Sequence, residues 1–248
     1  VIAVIAMLMA ILLPALRKGK QLAQRVACGS NLRQLAFAWN MYLEDNEGYF
    51  PKDMSLNLYY GGWRGSKNKA PRILNSFLQL DPNLTTPNTA KVFRCPADRG
   101  GVLSTPGPKA YTYYGTSYQA NLLLVGPESM GISTRQWYRT MTPDIQVLED
   151  GFGAKVDTAN RNSVDNHSQL LLIADYSWYN QWNPGLDWLT EEEKKTGEWH
   201  GRPDHYCVAF LDGHSKFVEI RKGIWVDDEY TILPWKELYP AARNIQGE

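Results

Sequence analysis

Val1 to Leu16 reads VIAVIAMLMAILLPAL, sixteen residues with neither a charge nor a polar side chain. From Arg17 onward the pattern changes. Leu22, Val26, Leu32, Leu35, Trp39 and Tyr42 recur at mostly three- and four-residue steps, while Arg17, Lys18, Lys20, Gln24, Arg25, Arg33, Asn40 and Glu44 lie largely off that stripe. Such steps place side chains on one face of an α-helix. The first strong stop is Asn46-Glu47-Gly48, with Pro51 beyond it. The spacing predicts one helix from Val1 to Glu47, about 70 Å long, apolar all round at first and one-sided later. Pro14 lacks a backbone donor and Gly19 is costly inside a helix, so these are its weak points.

Sixteen helical residues reach about 24 Å, a little less than the roughly 30 Å hydrocarbon core of a bilayer. The chain begins at Val rather than Met, so further apolar residues upstream are expected to complete a span. A cleavable secretory signal would need a charged segment before the run and small residues after it, whereas Arg17, Lys18 and Lys20 follow directly. A buried core helix would show a polar face, and this run has none. The reading adopted is a membrane anchor over 1–16, carried by Val1, Ile2, Val4, Ile5, Leu8, Ile11, Leu12, Leu13, Pro14 and Leu16.

After Pro51 the pattern breaks into loops and short runs. Pro71 to Leu80 reads as a short helix, Lys91 to Cys95 as a short strand, and Tyr111 to Leu124 as one or two strands. Gln169 to Ala174 is an apolar run of strand length ending at Asp175. Tyr206 to Ile220 holds two strand-like runs around Asp212-Gly213, a dipeptide suited to a type I′ hairpin turn. Thr190 to Glu193 forms a capping box for a short helix that Gly197 can end. The expected fold class is α+β: a long N-terminal helix, membrane-embedded in its first third, packed on a small, mostly antiparallel sheet with long loops. The expected division is a helix over 1–47 and a globular head over 48–248.

Composition narrows the class further. With 26 acids against 26 Lys and Arg, the net charge is zero, which argues against a general nucleic-acid binder. Hydrophobic residues make up 44%, enough for a packed core, while the mean hydropathy of −0.41 shows that the greasiness is concentrated at the start. Three cysteines, none in a C-x-x-C pair, disfavour a zinc ribbon or a thioredoxin-type site.

The apolar opening and its basic, amphipathic continuation resemble the N-terminal helix of type IV pilins and type II secretion pseudopilins. More narrowly, the chain resembles the bacterial group with a prepilin-type cleavage/methylation N-terminus and a C-terminal His-x9-Asp-Gly processing-associated domain. The residues that carry this are Cys28-Gly-Ser-Asn-Leu-Arg-Gln-Leu35 with Met41-Tyr42, Phe93-Arg-Cys-Pro-Ala-Asp98, Leu171-Leu-Ile-Ala-Asp175, and Phe210-Leu-Asp-Gly-His214 with His200 upstream. The motif residues are His200, Asp212 and Gly213, although eleven residues, not nine, separate His200 from Asp212. The resemblance implies a non-enzymatic subunit of the bacterial inner membrane, single-pass, with its head in the periplasm or at the cell surface. It also implies copies of itself, other pilin-like subunits, an assembly platform and a prepilin peptidase as partners. The alternative is a membrane-tethered extracytoplasmic binding protein for a glycan or protein ligand that does not polymerise.

Candidate chemistry is sparse. His200, Asp204, His205, Cys207, Asp212 and His214 have metal-ligand character, but strand alternation is expected to scatter them, and Asp212-Gly213 is explained by turn chemistry. Asp227 and Asp228, with His214, are the candidates for a calcium ion; the bland reading is a solvated acidic face. No Gly-x-Ser-x-Gly, His-Glu-x-x-His or phosphate-binding glycine loop is present, and Asp175 reads as a strand-terminating residue, so no enzyme is expected. In an oxidising compartment Cys28 and Cys95 could form a disulfide across 66 intervening residues; buried free thiols are the equal alternative. Trp178, Trp182, Trp188 and Trp199 crowd one loop-rich stretch, either as a recognition platform or as cover for a thin core.

Overall fold

The computed structural model describes residues 2–51, 56–69, 71–101, 107–125, 164, 166–176, 178, 199–234, 236 and 239–246. Helix α1 (Ile2–Asp45) is unbroken through Pro14 and ends where expected. Glu47 and Gly48 take positive φ values of 55° and 86°, and the Gly48 N–H donates to the Leu43 carbonyl at 2.6 Å, which satisfies one of the carbonyls orphaned at a helix end.

Four strands form one antiparallel sheet in the order β1 (Tyr118–Ala120), β2 (Leu171–Asp175), β3 (His205–Phe210), β4 (Ser215–Glu219). The sheet is covered on both sides. On β3, Cys207 and Ala209 face the core shared with α1, while Tyr206, Val208 and Phe210 face a second core built by residues 220–242. On β2 the register shifts between Leu171 and Ile173, so Leu172 and Ile173 both turn toward the α1 side. A sheet buried on both faces explains why β2 is apolar throughout rather than alternating. The helix Tyr239–Gln246 closes the second layer, with Gln246 Oε1 accepting the Trp225 and Val226 N–H groups at 2.8 and 3.0 Å. A long helix on a small antiparallel sheet is therefore the observed architecture, and it is α+β.

Several local expectations are corrected. Lys91–Phe93 is a 3-10 turn rather than a strand, with Phe93 buried against the Tyr60 ring. The 71–80 helix is reduced to a 3-10 turn at Ser76–Leu78, stopped by Gln79 at φ 57°. Tyr111 and its neighbours open not a strand but a short helix, Ala110–Tyr114, before β1. There the buried Asp98 carboxylate accepts the Ala110 and Tyr111 N–H groups at 3.3 and 2.9 Å, which outweighs the strand preference of an aromatic run. The hairpin forms as expected, but with a four-residue loop, Leu211 to His214, in place of a two-residue type I′ turn; within it only Gly213 has positive φ (95°). Asp212 Oδ1 accepts the His214 N–H at 3.0 Å, a local side-chain turn that needs no metal. The capping box at 190–193 lies outside the described residues.

Candidate functional site

Two features bear on function, and α1 carries both. Its first part projects from the head with its apolar side chains in the open: Ile2 is 85% exposed, and Ile5, Leu8, Ile11, Leu12, Leu13 and Leu16 are exposed as well. Val1 and the side chain of Val4 lie outside the described residues. Among the described residues no helix is long and apolar enough to cross a membrane. Arg17, Lys18 and Lys20 end the apolar stretch after about 24 Å, shorter than a bilayer core.

Further along, the helix is one-sided, but with a phase different from the expected stripe. Cys28, Leu32, Leu35, Ala36, Trp39 and Leu43 are buried, whereas Leu22 and Val26 are 61% and 66% exposed. Phe37 and Met41, exposed by 59% and 51%, form a second pair in an outward row broken by the exposed polar Ser30, Arg33 and Gln34. At 3.6 residues per turn this row lies roughly opposite the buried arc. The positions facing the head in this stretch are polar instead. Gln24 Nε2 donates to the Pro96 carbonyl at 3.0 Å, and Arg25 Nη2 to the His200 carbonyl at 2.8 Å.

The second feature is a buried cluster where α1 enters the head. Cys28 from α1, Asp175 from the end of β2, His200 from the turn before β3 and Cys207 from β3 bring their ligand atoms within 4.8 Å of one another. The Cys28 thiol donates to Asp175 Oδ1 at 3.1 Å, and His200 Nε2 lies 3.1 Å from Asp175 Oδ2. The Cys207 N–H donates to the same Oδ2 at 2.8 Å, and Cys207 Sγ is 3.5 Å from His200 Nε2. Cys95 Sγ stands 3.6 Å from that nitrogen. His200 and Asp175 are each 1% exposed. Burial pushes the His200 imidazole down, but the facing Asp175 carboxylate more than reverses this and lifts it to about 12. Burial also pushes the Cys28 thiol well up, while the hydrogen bond from Cys28 holds the Cys207 thiol below its ordinary value.

All three cysteines are buried free thiols, so the Cys28–Cys95 bridge is not formed, although both residues reach the same cluster. His200 belongs to this site, whereas Asp212 and Gly213 belong to the hairpin loop. The calcium candidates are not brought together: Asp227 pairs with Arg221, His214 with Asp212, and the Asp228 carbonyl accepts from Gln169. Trp178 and Trp199 are buried, which leaves them no stacking face; Trp182 and Trp188 lie outside the described residues. Asp175, read from the sequence as a strand end, is the hub of the cluster. No local pattern singles it out; the fold brings it against Cys28, His200 and Cys207.

An α+β head carried on a projecting apolar helix is the class these features define. No family model matches the chain, and neither the curated proteins nor the solved structures contain a significant match.

Proposed function

We propose that this chain is a pilin-like structural subunit, held at a membrane through the apolar start of α1 and assembled with copies of itself along that helix. The observation that carries the reading is the exposed apolar surface of α1: the described side chains of residues 2–16, then Leu22, Val26, Phe37 and Met41. Exposed apolar surface of this extent on one element marks contact with lipid or protein. Lipid and neighbouring helices are chemically equivalent surroundings for the first stretch, so one segment serves both before and after assembly. The outward row has charged neighbours and suits protein contact better than lipid. A pilus and a secretion pseudopilus would use the helix in the same way. The tethered binding-protein reading draws no support from Trp178 and Trp199, the described members of the tryptophan-rich stretch, since both are buried.

Paired substitutions Leu12→Cys and Leu22→Cys, oxidised in cells that assemble the protein, test the reading. A ladder of cross-linked multimers is expected, with the chain recovered from the membrane or filament fraction. A chain that stays monomeric and dissolved under the same oxidation overturns it.

A further inference from the structure

We propose that Cys28, Asp175, His200 and Cys207 form a structural zinc site that ties α1 to the sheet. Three stretches distant in sequence converge here, the last supplying both His200 and Cys207; all four side chains are buried, and their ligand atoms lie within 4.8 Å of one another. Zn–S and Zn–N bonds of about 2.3 and 2.1 Å at a tetrahedral angle separate sulfur from nitrogen by about 3.6 Å. Cys207 Sγ lies 3.5 Å from His200 Nε2, in keeping with that edge. The donor set of two thiols, an imidazole and a carboxylate is borderline-soft and suits zinc, whereas calcium and magnesium prefer oxygen alone.

The surroundings orient these donors as an outer shell does. The Cys207 N–H fixes Asp175 Oδ2 at 2.8 Å, and Arg25 holds the His200 backbone through its carbonyl at 2.8 Å. Two thiolates, a carboxylate and a neutral imidazole around a divalent ion leave one net negative charge, and the Arg25 guanidinium held against His200 stands beside it. With four protein ligands and no solvent access, no coordination position is left open, so the role is structural rather than catalytic. A buried cluster of this composition without an ion is an expensive way to fill a core, because its polar groups gain little beyond their mutual hydrogen bonds. Cys95, 3.6 Å from His200 Nε2, packs beside the four ligands. The inference does not depend on filament assembly.

The test uses the whole chain, expressed with zinc and purified under reductant without chelator. Elemental analysis is expected to return about one zinc per chain, the occupancy of a closed structural site. After chelator removal, titration with Co²⁺ alone is expected to give thiolate-to-cobalt charge-transfer absorption and the strong visible bands of a tetrahedral ion, saturating at one equivalent. His200→Gln and Cys207→Ser are each expected to weaken cobalt binding by more than tenfold, and His214→Ala to leave it unchanged. Circular dichroism reports whether each variant folds; where one does not, the wild-type titration decides. A reduced, folded wild-type chain that takes up neither zinc nor cobalt overturns the proposal. So does a spectrum without sulfur charge transfer, or loss of binding in His214→Ala but not in His200→Gln.

Discussion

Trp39 offers the sharpest test of how α1 is divided between head and surroundings. Its ring is fully buried, with the rings of Tyr42, Phe50 and Tyr60 at 5.7, 5.9 and 5.4 Å. Truncation to Ala removes that burial and leaves a cavity among three aromatic neighbours, which costs about 3–5 kcal/mol. The indole Nε1 is buried without a hydrogen-bond partner, a penalty of about 1–3 kcal/mol that the folded state already carries. Trp39→Phe loses part of the ring volume but also removes that unsatisfied donor, so its net cost is expected to stay within about 1 kcal/mol. Leu22→Ala, on the outward face of the same helix, is expected to change stability by no more than about 0.5 kcal/mol. Urea unfolding followed by far-ultraviolet circular dichroism resolves these differences: at a slope of about 2–3 kcal/mol per molar, a loss of about 4 kcal/mol moves the midpoint by about 1.3–2 M. The reasoning fails if Trp39→Ala costs no more than Leu22→Ala, or if Trp39→Phe costs as much as Trp39→Ala.

Gly115 ends the Ala110–Tyr114 helix at φ 89°, and an added Cβ would meet the Trp63 carbonyl at 1.7 Å. Gly115→Ala is expected to destabilise by more than the ~1–2 kcal/mol of a left-handed alanine alone, because the obstacle is backbone, and thermal denaturation measures it. For Asp227, burial pulls the carboxyl upward, but the Arg221 guanidinium and the Glu229 N–H more than offset it and hold the group below the usual carboxylate range. A depressed carboxyl contributes stability above its unfolded value of about 3.9 and loses it as pH falls through the folded value. Arg221 is about half exposed, so Arg221→Ala is expected to cost no more than about 1 kcal/mol at pH 7. That difference should shrink as pH falls below the unfolded value and through the lower folded one, and urea midpoints across an acid pH series check it.

The parts of the fold legible in the sequence are those specified locally. The long helix and its stop at Gly48 follow from periodicity and a glycine that accepts positive φ, and the β3–β4 hairpin from alternation around Asp212-Gly213. Phase within the helix was not legible, because Leu22 and Val26 look like core residues until the head shows what it offers opposite Gln24 and Arg25. The Ala110–Tyr114 helix was hidden for a similar reason: its first N–H groups are taken by Asp98, twelve and thirteen residues earlier. The buried cluster was least legible. Each of its members has an ordinary local explanation, as a strand end, a small core residue or a turn histidine, and only the tertiary fold brings the four together.

The phase of α1 links the apolar surface to the buried cluster. Where the helix leaves the head, the head presents the backbone carbonyls of Pro96 and His200, and these need donors rather than methyl groups. Gln24 and Arg25 supply the donors, and Cys28, one turn on, is the first fully buried position. Because successive residues are rotated by 100°, turning 24, 25 and 28 inward obliges Leu22 and Val26 to face outward. They then fall in line with Phe37 and Met41 on the far side of the buried arc. From Ile2 to Gln24 the helix runs about 33 Å before it meets the head at this exit. That is where the polar contacts and the Cys28–Asp175–His200–Cys207 cluster are concentrated. Residues 2–16, apolar all round, need no particular rotation, whereas everything from Gln24 onward is phase-locked. A residue inserted between Leu16 and Gln21 would therefore leave the head intact and swing the first stretch by about 100° without changing the surface it presents.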